Sequence, residues 1–153
     1  MKKLAILAVL AASMTAASAL EVGIRGGRVG GIDTTDIGFN TAGVTLGQQY
    51  GKFGVEAAFD RSTIGVANIN RYSVVGSYPV MQFAGVQFTG KAGAAYLDPS
   101  LGQDGYAALV GAGASYPLTK QVSLVADYAY QMGQDRVKAL NGNQFSFGAK
   151  YSF

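Results

Sequence analysis

The sequence contains no cysteine, no histidine and no tryptophan, and only three prolines in 153 residues. Each absence excludes something. Without cysteine, no disulfide can staple a small exported domain, so its stability must come from elsewhere. Without histidine, Ser–His and Asp–His hydrolytic arrangements cannot be assembled. Charged residues make up only 14% of the chain, and once Lys2 and Lys3 are set aside the twelve basic and nine acidic side chains come close to balance. That leaves no electrostatic footprint for nucleic acid. Beyond the first twenty residues no apolar run approaches the roughly 18 residues of a membrane-spanning helix.

What is plentiful is glycine (22), tyrosine (9) and phenylalanine (8), a composition suited to short strands and turns. The N-terminus is different. Lys2 and Lys3 form a short positive region, Leu4 to Ala12 are apolar, and Ala17-Ser18-Ala19 is a small-x-small cleavage pattern. This is the layout of a secretory signal peptide, with an apolar core too short to span a bilayer. Residues 1–19 are therefore expected to be removed, leaving 20–153 as one domain.

Alternation runs through that domain. In the last segment Phe145, Phe147, Ala149, Tyr151 and Phe153 fall on one face, and Gln144, Ser146, Gly148, Lys150 and Ser152 on the other. Successive side chains of a strand point to opposite faces, so this predicts a two-faced strand. The same period recurs over 20–25, 42–50, 53–60, 71–78, 86–96, 106–116 and 122–130, giving about eight strands. Most are near the roughly 9–11 residues that a tilted strand needs to cross a bilayer. Tight turns are predicted at Gly51-Lys52, Pro79 to Gln82 and Pro117 to Gln121. Longer polar connections are predicted at Gly26 to Asn40, Arg61 to Asn70, Leu97 to Gly105 and Gln131 to Asn143. Short turns at one end and longer loops at the other mark an up-and-down transmembrane barrel.

A soluble lipocalin-like barrel would also alternate, and three observations favour lipid. Arg25, Glu56, Arg71, Lys91, Asp127 and Lys150 all lie on the non-aromatic face, whereas Arg or Lys against lipid costs about 2–4 kcal/mol at mid-bilayer. The aromatics form two bands. Tyr50, Phe53, Tyr78 and Tyr116 flank the short turns, while Phe59, Tyr72, Tyr96, Tyr106, Tyr130 and Phe145 flank the longer loops. Between them lie small aliphatics such as Val55, Val74, Ala92 and Val110, as the two membrane interfaces require. Finally, the last strand ends on Tyr151 and Phe153. This terminal strand resembles the one that outer-membrane barrels present to their assembly machinery.

Together these features resemble the small eight-stranded outer-membrane β-barrels: OmpA transmembrane domains, OmpX and opacity-type proteins. The resemblance is one of pattern and covers the whole of 20–153. It implies an all-β, closed antiparallel barrel in the bacterial outer membrane, exported through the Sec pathway, with termini periplasmic and long loops extracellular. It also implies periplasmic chaperones and the barrel-assembly machinery as biogenesis partners, lipid and lipopolysaccharide as surroundings, and a monomer.

About eight strands enclose a bore just wide enough to be filled by side chains. The predicted lumen holds Glu21, Arg25, Glu56, Arg71, Lys91, Asp127 and Lys150, with Gln49, Gln87, Gln144, Ser73 and Ser123. Buried charge is costly unless paired, so mutual pairing is expected, either as a plug or as a gated ion path. Asp33 to Asp36 lack the repeated acidic spacing of a calcium loop, and no metal or cofactor is expected. No nucleophile-and-base set is visible, so an enzyme is not expected. Three functions stay open: a structural or surface-interaction barrel, a narrow channel for ions or small solutes, and a soluble periplasmic binding barrel with its faces reversed.

Overall fold

Strands that are apolar on one face and polar on the other satisfy both faces at once when the sheet closes on itself, because closure also removes unpaired edges. The structure, a computed structural model, describes residues 19–31, 39–64, 67–100, 102–134, 137 and 141–153. The segment expected to be a signal peptide lies outside these residues except for Ala19, as do Asp33, Asp36, Asp135, Arg136 and Lys138.

Eight strands follow in order: β1 (Leu20–Gly31), β2 (Phe39–Tyr50), β3 (Phe53–Ile64), β4 (Ala67–Phe83), β5 (Val86–Pro99), β6 (Gly105–Pro117), β7 (Val122–Gly133) and β8 (Gly142–Ser152). Each pairs antiparallel with its neighbours in sequence, and β1 pairs with β8 to close the barrel. The fold is therefore the expected closed antiparallel barrel. Among the described residues no helix is long and apolar enough to cross a membrane, which says nothing of a barrel, whose strands would do the crossing.

Two expectations of the sequence need correction. The connections at the loop end are shorter than predicted. β1 continues to Gly31 and pairs as far as Val29↔Phe39 with β2, and β3 and β4 pair up to Ile64↔Ala67. β5 runs on to Pro99, β7 runs on to Gly133, and β8 starts at Gly142. Backbone pairing does not stop where the apolar face stops. Above an apolar belt the outward residues turn polar, as Arg28, Asn40, Arg61 and Thr63 do, so alternation of polarity fades while the ladder goes on.

The tight turn also sits elsewhere. Pro79 does not begin it. β4 and β5 continue to Phe83↔Val86, and the chain reverses at Ala84 (φ 49°) and Gly85 (φ 80°). Positive φ at both central residues is the geometry that matches the twist of a two-residue hairpin. Pro79 is tolerated because β4 has outrun β3 there. The last β3–β4 pair is Gly54↔Ser77, so no strand on that side needs an N–H from residue 79. A bulge between Pro79 and Met81 follows.

Candidate functional site

The inward face of the barrel carries four cations and four carboxylates, and the structure joins six of them into one chain. Asp60, 1% exposed, accepts from Arg25 through both carboxylate oxygens, Nε–Oδ1 at 2.7 Å and Nη2–Oδ2 at 2.6 Å. It also accepts from Arg71, Nη2–Oδ2 at 2.6 Å and Nε–Oδ2 at 3.2 Å. Arg71 donates in addition to Gln144. Arg25 reaches on to Glu56, Nη1–Oε1 at 3.3 Å. Lys150 pairs with the other oxygen of Glu56 and lies 3.7 Å from Glu21. Lys91 and Asp127 form a separate pair at 2.7 Å. All seven charged residues singled out from the sequence thus face the lumen and touch a partner.

Asp60 was missing from that set and is the hub of the chain. It stands at the edge of the predicted longer connection, Arg61 to Asn70. Its parity with Glu56 and Ala58 was the signal that could have found it. Two strands, β2 and β6, contribute no charge to the lumen. They contribute space. A Cβ on Gly43 of β2 would overlap the Asp60 carboxylate, and a Cβ on Gly113 of β6 would lie 2.5 Å from Asp127 Oδ1 and 2.9 Å from Lys91 Cε.

The lumen differs at its two ends. Toward the turn end, a polar vestibule of ≈ 130 Å³ is lined by residues including Gln49, Ser77, Gln87, Lys91 and Ser123. Level with the guanidinium groups only a ≈ 30 Å³ cavity is left, lined among others by Arg25, Arg71 and Ser73. Toward the loop end Ile69, Leu97, Ala107 and Val137 form one buried apolar cluster inside the bore, beside the buried polar Thr41, Ser62 and Gln131. All four apolar residues lay in or beside predicted polar connections. Val137 belongs to the β7–β8 connection and is turned inward, 1% exposed, and its N–H bonds the Gln134 carbonyl at 3.0 Å.

The outward face carries the aromatics. At the loop end Phe59, Tyr72, Tyr96 and Tyr106 lie on one continuous rung across β3 to β6. Phe59 and Tyr72 centroids are 5.1 Å apart and Tyr96 and Tyr106 5.3 Å. Phe145 packs on Tyr128 at 6.1 Å, and Tyr130 is opposite Asn143. At the turn end Tyr50 is opposite Phe53, Tyr78 opposite Gly90, and Tyr116 opposite Leu124. Tyr50 donates its hydroxyl to the side-chain carbonyl oxygen of Gln48 at 2.9 Å. Tyr151 and Phe153 stack edge-on at 4.9 Å on the last strand.

A closed eight-stranded wall with ion pairs inside and two aromatic rows outside defines a transmembrane β-barrel. No protein-family model and no curated protein matches the chain in sequence. Solved structures match it in fold. The N-terminal β-barrel domain of OprF from Pseudomonas aeruginosa superposes with a TM-score of 0.70 at 17% identity, covering 88% of this chain and 97% of that one. Neisserial surface protein A gives 0.71 at 15% identity, with 90% and 98% covered. Ail of Yersinia pestis gives 0.58 at 16% identity, with 89% and 97% covered. The chain shares the architecture of these small outer-membrane barrels over nearly its whole described length.

Proposed function

We propose that this protein is a structural, non-conducting barrel of the bacterial outer membrane whose outer rim contacts lipopolysaccharide. The observation that carries the reading is the filled lumen. An ion-pair chain crosses the bore at mid-height, and the Ile69–Leu97–Ala107–Val137 cluster occupies its loop end. Desolvating a hydrated ion past both layers would cost more than a conducting path allows. Planar-bilayer recording of the purified barrel tests this: a flat baseline is expected, and discrete, reproducible openings would sink the reading in favour of a narrow channel.

The surface role rests on Arg28 and Arg61. Both are exposed and point outward at the loop end, Arg28 on β1 opposite Phe145 of the aromatic row and Arg61 on β3 two residues beyond Phe59, with β2 between them. Neither is in an ion pair with a described residue. Guanidinium groups at that level suit the phosphates of lipopolysaccharide. Ail has been solved with the heparin analogue sucrose octasulfate, a polyanion held by a barrel of this architecture. R28Q/R61Q is expected to weaken retention on immobilised lipopolysaccharide and to flatten its salt dependence; unchanged retention would remove this part of the proposal.

The same reading includes export with removal of residues 1–19, chaperone escort, delivery of the Tyr151–Phe153 strand to the barrel-assembly machinery, periplasmic termini, a monomeric state and no enzymatic activity. Mass spectrometry of the membrane-fraction protein tests the cleavage site.

A further inference from the structure

The β4–β5 hairpin runs beyond the rest of the turn end. Past Ser77, β4 has no partner on its β3 side, yet it continues to Phe83 paired only with β5. From Tyr78 to Phe83 the ladder advances about 13 Å along the strand, one residue being taken up by the bulge. At a tilt of about 40° that is roughly 10 Å along the barrel axis. The extension is apolar on one side: Val80 is 70% exposed and Phe83 69%, with Met81 also exposed.

Hydrophobicity alone would not say what covers it, but the sorting of its faces does. Met81 pairs with Phe88 and Phe83 with Val86 on the outward side, while Gln82 pairs with Gln87 on the inward side. Gln87 lines the polar vestibule. The bulge at Val80 inserts an extra residue without ending the apolar stripe. Val80 packs over Gly90, and the tip leans on Tyr116, so the stripe is continuous with the turn-end aromatic row. The free edge of β4 is blunted by Pro79 and by that bulge, the two devices that discourage another strand from adding on. The charged residues in the described turns at this end are Lys52 and Lys120, both exposed and both cationic.

We propose that this hairpin is a lipid-inserted extension of the apolar belt, covered by the leaflet at the turn end, with Lys52 and Lys120 facing anionic phospholipid headgroups. The proposal rests on the transmembrane reading of the barrel. It implies that the membrane boundary around this protein is lopsided, deeper beside β4 and β5 than beside β2 and β3.

The absence of tryptophan makes the test clean. F83W, with M81W as a second placement, gives a single reporter on the extension, and F147W gives one at the centre of the belt. Each is refolded into vesicles of phosphatidylcholine and phosphatidylglycerol carrying bromine near the carboxyl end or near the middle of the acyl chain. Unboiled gel mobility identifies the folded fraction. We expect F83W to emit in the blue-shifted range and to be quenched most by bromine near the carboxyl end, and F147W to be quenched most by bromine near mid-chain. Emission of F83W and M81W at aqueous wavelengths, quenched by iodide in the buffer and not by bromolipid, would overturn the proposal. So would shielding that varies with protein-to-lipid ratio but not with bromination, which would mean a second copy covers the tip. Loss of bromolipid quenching in F147W as well would defeat the membrane barrel itself, a different failure from loss at the hairpin alone.

Discussion

Asp60→Ala is the most informative single change in the lumen. The wild-type carboxylate accepts four hydrogen bonds from two guanidinium groups and is almost fully buried. Removing it leaves Arg25 and Arg71 facing each other across the space it filled. Breaking a buried pair from one side costs about 3–5 kcal/mol, because the other charge stays buried and uncompensated. Two features pull the figure down. Arg25 keeps Glu56 and Arg71 keeps Gln144. The adjoining ≈ 30 Å³ cavity has room for about two waters at roughly 10–15 Å³ each. A loss of about 3 kcal/mol is therefore expected. Asp60→Asn keeps shape and one acceptor but not the charge, and should lose about half as much. The measurement is reversible urea unfolding of the barrel in lipid vesicles, followed by circular dichroism, with free energies from the linear dependence on denaturant. Adding Arg71→Met to Asp60→Ala should restore part of the loss, since one stranded cation is gone. If Asp60→Ala stays within about 0.5 kcal/mol of the parent, the range of an ordinary surface substitution, the carboxylate is not the hub described above.

Three further outcomes are expected. Ala84 has φ 49°, a left-handed conformation that costs a non-glycine residue roughly 1–2 kcal/mol; Ala84→Gly should stabilise by about 0.5–1 kcal/mol once glycine's extra chain entropy is subtracted, read as a higher urea midpoint at unchanged slope. Gly113→Ala should destabilise by about 1–3 kcal/mol, as overpacking does, because its Cβ would collide with Asp127 and Lys91; a neutral result would show that the pair has slack. Phe147→Arg, outward and 61% exposed at mid-belt, should cost about 2–4 kcal/mol in bilayers if lipid covers that face, whereas a tolerated arginine would point to water there.

The fold was legible because one physical rule acts on every strand: one face meets one solvent, the other face a different one. Phe145 to Phe153 display that rule without interruption, and the parity of Glu56, Lys91 or Lys150 follows from it. Where the rule weakens, the sequence signal weakens with it. Ile69 and Leu97 point inward above the belt, in stretches whose outward residues are already polar, so an apolar residue there looked like loop. Val137 takes its place in the cap through a connection between strands, which periodicity does not describe. The sequence predicts a tight turn at Pro79 to Gln82, although a proline that lacks a ladder donor can also stand in a strand. It sits within β4 because the stagger between β3 and β4 leaves that donor unneeded. The aromatic rung Phe59–Tyr72–Tyr96–Tyr106 was visible as four separate residues. That they share a rung depends on register across four strands, which a single sequence does not contain.

The distribution of charge over the strands bears on why the lumen is ionic at all. Charges come from β1, β3, β4, β5, β7 and β8, while β2 and β6 place Gly43 and Gly113 beside the carboxylates Asp60 and Asp127. A polar lumen of neutral residues would also hydrate, at lower desolvation cost than paired ions. Ions, however, constrain register in a way that neutral residues do not. Slipping a strand by one residue moves every side chain to the other face. For β1, β4, β5 or β8 that would place Arg25, Arg71, Lys91 or Lys150 in lipid, at about 2–4 kcal/mol near mid-bilayer, and strand their partners inside. For β3 the slip would remove Asp60 and Glu56 together and leave both arginines unpaired. β2 and β6 carry no such penalty, but each lies between two strands that do, and a slip would take Gly43 and Gly113 away from the carboxylates that need their space. Paired lumen charges thus add to the penalty that the two-faced pattern already sets against a one-residue slip, and they add most where four strands would carry an arginine or lysine into lipid.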